Sequence, residues 1–448
     1  MYGFKKKILA RMLGSMLVMA SCVSNADDDL LRVYEMALTM DPEFQQALAT
    51  LRAAEEQLPQ ARAGLRPDLS ATAGVNSISS DSDLSGLSDD GSSDTYQQLR
   101  YGITLTQPLY RYDQSRLVDQ AGDVVDRAVV TFRFAEQTLV LRVAERYFAT
   151  LDAEESVKAA EANLEAIRRQ LEQAEERFQV GVIARTDVEE ARARADIARA
   201  DLLEAEDQLN TQREAIRQLT NQDHQSLAPV RAEVSLAKPD PSSVDRWRQL
   251  AETDNLELLA ARLTASAAMT EVDIQRGGAR PQVDLIAGYS GTEQYDRNGQ
   301  DLSANELRAG IELSIPLYQG GLTSSKIREA QSQYTVALES LEQVRRTVNR
   351  DAADAYRGVI TALERIRALD QARASTRSAL EATEAGFEVG TRTIVDVLNA
   401  QREVFNAERN YHQARHSYFV NSLRLRLAAG TLSIEDLTKI NQLLARSE

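Results

Sequence analysis

The sequence says one thing twice. Phe178–Ala191 reads FQVGVIARTDVEEA and Phe387–Ala400 reads FEVGTRTIVDVLNA, so Phe, Val-Gly, Asp-Val and Ala recur at an offset of 209 residues. YGITLTQPLY (Tyr101–Tyr110) recurs as AGIELSIPLY (Ala309–Tyr318) at 208, and GLRPDLSATAG (Gly64–Gly74) as GARPQVDLIAG (Gly278–Gly288) at 214. The order is the same in both halves, so the chain is a tandem duplication. Any fold must therefore place the same unit twice. The boundaries are a leader over 1–26, a first repeat over 27–222, a linker over 223–242, a second repeat over 243–430 and a tail over 431–448. Pro229, Pro239 and Pro241 mark the linker as irregular.

Each unit reads helix, strand, strand, long helix, break, long helix. The first helix is expected over Leu30–Ala63 with a kink at Pro59, and its counterpart over Val244–Arg276. Hairpins are expected over 67–108 and 281–316. In them Leu69, Ala71, Ala73 and Val75 alternate with Ser70, Thr72, Gly74 and Asn76, and Leu307, Ala309, Ile311 and Leu313 with Arg308, Gly310, Glu312 and Ser314. Period-two alternation gives one apolar and one polar face. Tyr110–Gln179 holds only Gly122 and no proline, and Leu322–Ala385 holds only Gly358. Seventy helical residues would reach about 105 Å. Val157, Ala160, Leu164, Ile167, Leu171, Ala174 and Phe178 step by three and four, as do Val397, Ala400, Val404, Ala407, Tyr411, Ala414 and Tyr418. These are heptad seams running into and out of each Val-Gly break. Each break is thus the turn of an antiparallel helical hairpin, with tips near 179–187 and 387–396.

Composition restricts what such a chain can do. Lys5, Lys6, Lys7 and Arg11 precede the apolar run Met12–Val23 and the small-x-small triplet Ser24-Asn25-Ala26, the pattern of an export signal. The rival is lipidation at Cys22, the single cysteine, which also rules out an intrachain disulfide. Removing 1–26 takes four basic residues and no acid, moving the formal charge from −16 to −20, which disfavours nucleic acid. No phosphate loop, nucleophile elbow or triad pattern is present, so an enzyme is not expected, and no cofactor is called for. DSDLSG (Asp81–Gly86) opens like a calcium loop, but its twelfth position is Ser92 rather than Glu, so it reads as a loop. His412 and His416 have a metal-like spacing without a third ligand and read as solvated helix surface.

Two-faced strands suit an outer-membrane barrel, yet four strands cannot close one and open edges cannot face lipid. The chain must oligomerise, and a wide helical sleeve favours three copies. The duplicated order, QPLY and IPLYQGG after the hairpins and VGxxxxxDV at each helical turn together resemble the TolC family of outer-membrane efflux and secretion ducts. The resemblance covers about Asp27 to Leu444. It implies a homotrimer in outer-membrane lipid, mainly α, with four strands per chain in a shared twelve-stranded barrel and hairpins forming a trimeric α-barrel across the periplasm. It also implies a periplasmic mouth closed at rest and opened by a periplasmic adaptor protein and an inner-membrane pump, ABC-type or proton-driven, exporting small molecules or secreted polypeptides. The alternative is a non-channel periplasmic coiled-coil tether or stalk.

The resemblance also implies roles at the tips. Asp396 and Asn399 would line the pore at its narrowest point, where the family commonly has two acidic positions. Asn399 leaves one carboxylate ring and predicts weaker block by multivalent cations. The competing role for Asp396 is a helix cap. Arg392 would latch its tip to the neighbouring hairpin at Thr186 and Asp187. Phe387 stands where the family often has a latch tyrosine, so that hydroxyl is missing. Val180, Gly181, Val389 and Gly390 would dock the adaptor.

Overall fold

A computed structural model describes residues 28–82, 92–297 and 300–445. The leader and most of the Asp81–Gly86 motif lie outside the described residues. Three short helices come first, α1 (Leu30–Met40), α2 (Pro42–Glu55) and α3 (Gln57–Ala63), followed by β1 (Asp68–Ser82) and β2 (Ser92–Tyr110). Then come α4 (Tyr112–Gln179) and α5 (Arg185–Thr220). The second unit repeats this with α6 (Val244–Asp254), α7 (Leu256–Gly277), β3 (Gln282–Arg297), β4 (Gln300–Ser314), α8 (Leu322–Glu388) and α9 (Ile394–Ala428). A last helix, α10 (Ile434–Asn441), opens on a Ser433–Asp436 cap and lies within the tail expected over 431–448.

The opening helix is not one rod with a kink at Pro59. It breaks at Asp41, whose carboxylate accepts the Phe44 amide at 3.1 Å while Pro42 occupies the first helical position. It breaks again at Glu56, because Pro59 has no N–H to give the Glu55 carbonyl. The second unit has the same cap at Asn255, which is Asp41 plus 214, accepting the Leu258 amide at 3.0 Å. Asn255 also donates to the Ala428 carbonyl at the end of α9 (3.0 Å), so α9 and α7 meet end to end as one column. Asp41, nearly fully buried, instead takes an ion pair from Arg142 of α4.

The strands form one antiparallel sheet in the order β1-β2-β3-β4. Its register aligns Leu69, Leu105, Ala287 and Ala309 in one row and Ala71, Ile103, Tyr289 and Leu307 in another. The opposite face carries Ser70, Thr104, Gly288 and Arg308, then Thr72, Gly102, Ser290 and Glu306. The strands span 15 to 19 residues, longer than the roughly ten a tilted strand needs to cross a bilayer, because polar ends extend past the apolar band. Every residue of β4 is exposed, Leu307 at 83% and Ile311 at 70%. Among the described residues β1 and β4 each pair on one side only, leaving two open edges. Among the described residues no helix is long and apolar enough to cross a membrane.

On the sheet side of the molecule α4 packs against α2, α3 and α7, and α8 against α6 and α7; on the far side α5, α4, α9 and α8 lie side by side. The main core sits between, where Leu139, Val143, Tyr147 and Phe148 of α4 meet Leu30 and Val33 of α1, Ile216 of α5, Leu423 of α9 and Leu437 of α10. Each such fully buried side chain contributes about 1.5–3 kcal/mol. A belt covers this core: Asp28 bridges to Leu227 and Val230 to Leu444, and the Tyr418 hydroxyl donates to the Ala237 carbonyl at 2.8 Å.

His416 corrects the solvated reading. It is buried in α9, with Nδ1 2.6 Å from Asp152 Oδ1 of α4 and its ring stacked on Phe148 at 5.4 Å. Burial against α4 also lowers the pKa of half-buried His412.

Candidate functional site: two hairpin tips

The two tips lie at the far end of α4 and α8 from the sheet. At 68 residues, α4 separates sheet from tip by about 100 Å. Both turns use one device. The Gly181 amide donates to Phe178 O (2.9 Å) and Val182 to Arg177 O (2.9 Å). Gly390 donates to Phe387 O (3.1 Å) and Thr391 to Gly386 O (2.8 Å). These bonds close each helix end, with glycine in the left-handed region at φ +81 and +78. A Cβ at either glycine would meet nothing within 4 Å. Glycine is therefore required here by φ, not by close approach of the chain itself. Val180 (73%), Val182 (71%) and Val389 (75%) expose apolar side chains at the extremities, Val182 in addition to the tip residues expected from the sequence.

The restart of each helix differs. Thr393 caps α9: its Oγ1 accepts the Asp396 amide at 3.3 Å, and Asp396 Oδ2 accepts the Thr393 amide at 2.9 Å and its hydroxyl at 3.0 Å. This is a capping box, and it gives Asp396 the helix-capping role. The Thr393 amide, then its hydroxyl, hold the Asp396 carboxyl below its ordinary range, with Arg392 adding a smaller pull. In α5 the equivalent Asp187 accepts only the Ala184 amide (3.3 Å), because alanine has no hydroxyl to complete the box. Asn399 follows Asp396 one turn along α9 and is half-buried.

The tips also touch each other. Ile394 and Leu398 of α9 pack with Leu164 and Ile167 of α4 and Ala198 of α5, with Phe387 against the cluster. A 350 Å³ cleft between the tips is lined by Arg177, Ile183 and Asp187 from one hairpin and by Phe387, Glu388 and Arg392 from the other. Arg392 and Asp187 thus share a cleft, while Thr186 is exposed outside its lining. Among the described residues the Arg392 side chain makes no ion pair; its stem lies over Gly386, where a Cβ would sit 2.8 Å from its Cγ. Phe387 has a partner that the sequence did not reveal: the Arg177 guanidinium lies 4.8 Å from its ring centroid.

Comparison with known proteins places these features. The family model described as outer membrane efflux protein matches residues 33–222 and 247–431. The chain is 35% identical over 422 residues to outer membrane protein TolC of Vibrio cholerae, covering 92% of this chain and 93% of that one. It is 33% identical over 458 residues to outer membrane protein TolC of Escherichia coli, covering 98% and 90%. The alkaline protease secretion protein AprF of Pseudomonas aeruginosa is 29% identical over 419 residues, covering 91% and 85%. Among solved structures, CusC superposes with a TM-score of 0.76 at 18% identity over 93% of this chain and 95% of that one. VceC of Vibrio cholerae superposes with a TM-score of 0.73 at 22% identity, covering 90% and 96%. None of these relatives supports a tether. With both halves of the duplication matched, the chain belongs to the outer membrane efflux protein family.

Proposed function

We propose that three copies of this chain form an exit duct from the periplasm across the outer membrane. The observation that carries this is the four-stranded sheet with two open edges and one apolar face, mounted about 100 Å from paired helical tips. Lipid tolerates no open edge, so β4 of one copy pairs with β1 of the next, and three copies close a ring of twelve strands. The polar face carrying Thr72, Thr104, Ser290 and Arg308 then lines the lumen. The hairpins continue the wall as a helical tube across the periplasm.

The tips form the mouth. Asp396, held ionised by its cap, supplies one carboxylate per copy and a ring of three, with Asn399 behind it in place of a second ring. Arg392 and Asp187 line the same cleft, one from each hairpin, a pair suited to a charge-assisted latch between hairpins. The exposed valines and the turn glycines form the docking surface for a periplasmic adaptor, which couples the duct to an inner-membrane pump. AprF is named for protease secretion and BepC, a relative from Brucella suis, for efflux; the cargo of this duct is accordingly small molecules, polypeptides or both.

Planar-bilayer recording of the purified protein tests this reading. A low resting conductance that rises in Arg392→Ala is expected. No conductance in any variant would sink the duct, and an unchanged conductance in Arg392→Ala alone would sink the latch.

A further inference from the structure

We propose that Arg177 and Phe387 form a cation–π clasp joining the two hairpin tips of one protomer, and that opening the mouth requires its release. This rests on the duct reading above and adds to it a positioning contact inside each subunit. The guanidinium of Arg177, in the last turn of α4, lies 4.8 Å from the centroid of Phe387, in the last turn of α8. That distance is within cation–π range. Both side chains are half-buried, and among the described residues Arg177 has no carboxylate partner. The ring's other contacts are the apolar cluster around Ile394 and Leu398, so it is fixed where the cation meets it.

The duplication shows that this contact is specific to one pairing of the halves. The repeat position of Arg177 is Gly386, and the repeat position of Arg392 is Ile183. Each half thus carries one arginine where the other carries none, and both arginines enter the same cleft. Gly386 leaves the space that the Arg392 stem fills, since a Cβ there would stand 2.8 Å from Arg392 Cγ and 3.2 Å from Thr391 Oγ1. Ile183 instead packs beside Leu171 against Ala174 and Val188 within its own hairpin. The clasp can therefore form only between the first-half tip and the second-half tip. A phenylalanine serves it as well as a tyrosine, because the ring face and not a hydroxyl is engaged. Arginine serves better than lysine, because its planar group stacks on the ring.

A double-mutant cycle with Arg177→Ala and Phe387→Leu tests the clasp, Leu keeping an apolar contact with Ile394. Two readouts are taken on the purified full-length protein: amide exchange over 178–184 and 386–393, and mean conductance in bilayers at low and high KCl. Each single variant is expected to raise exchange at both tips about three- to fivefold, the double variant adding nothing further. Phe387→Tyr is expected to match the parent and Arg177→Lys to fall between. Conductance should rise in parallel. Independent, multiplicative effects of the two substitutions, or unchanged exchange in Arg177→Ala, would overturn the clasp. Coupled exchange in a protein without conductance would uphold the clasp and overturn the duct.

Discussion

Gly390→Ala probes what the tip turn is made of. Gly390 sits at φ +78 and hydrogen bonds flank it, Thr391 N to Gly386 O at 2.8 Å among them. Forcing an L-residue with a Cβ into this region costs about 1–2 kcal/mol. A stiffer unfolded chain returns about 0.4–1 kcal/mol of that. No atom lies within 4 Å of the added methyl, so no steric term enters. The net loss is about 1 kcal/mol, or about a fivefold increase in transient opening of the turn. Hydrogen exchange at the amides of Gly390 and Thr391 reads it directly. The melting temperature should hardly move, because the main core around Tyr147 lies far along α4. Gly390→Asn should lose markedly less, since asparagine tolerates the left-handed region. Gly181→Ala, at φ +81 and equally open, should behave alike. If Asn proved as disruptive as Ala, or if exchange rose far beyond tenfold, the glycine would be serving a contact rather than a dihedral, and the reasoning would fail.

Three further outcomes are expected. Because the pKa of Asp396 is depressed in the folded tip, its contribution is full above its ordinary value of 3.8 and lost as pH falls through the lower folded value. A spin label at Thr391 should therefore gain mobility below about pH 4, and Asp396→Asn should remove that dependence. Substituting His416→Ala leaves half-buried Asp152 without its 2.6 Å partner and Phe148 without its stacking ring, and should lower chemical stability by about 1–3 kcal/mol in denaturant titrations. Ile103→Arg places a charge on the apolar face at a cost of about 2–4 kcal/mol in lipid and should block assembly into the outer membrane, whereas Thr104→Arg, one residue on and facing the other way, should assemble normally in a membrane-fraction assay.

Much of the fold is written in local patterns. The alternation through Leu69, Ala71 and Ala73 and the Val-Gly pairs at both tips are short-range signals, and strands and turns obey them. Other signals were local but easily overlooked: Asp41-Pro42 and Ser433-x-x-Asp436 are ordinary helix starts. The Asn255 break is quieter, because apolar spacing continues across it and a single asparagine cap marks it locally; its contact with the Ala428 carbonyl comes from 173 residues away. The remaining features had no local signature. His416 reads as surface until α4 brings Asp152 to it across 264 residues. Arg177 reads as one more charged residue in a helix rich in them until Phe387 arrives from the other half of the chain. Pairings between the halves depend on how two copies of one pattern settle against each other, which periodicity within either copy does not encode.

The belt has a bearing on how the chain could be re-cut. Asp28 near one end and Leu444 near the other are both stitched to the inter-repeat segment, through Leu227 and Val230. The described ends and the middle of the chain therefore meet at one height on the wall, away from both the sheet and the tips. A circular permutant opened near Asp240 and joined across the native ends would interrupt no helix or strand of the tube. It would exchange which half is synthesised first while leaving barrel, hairpins and mouth as they are.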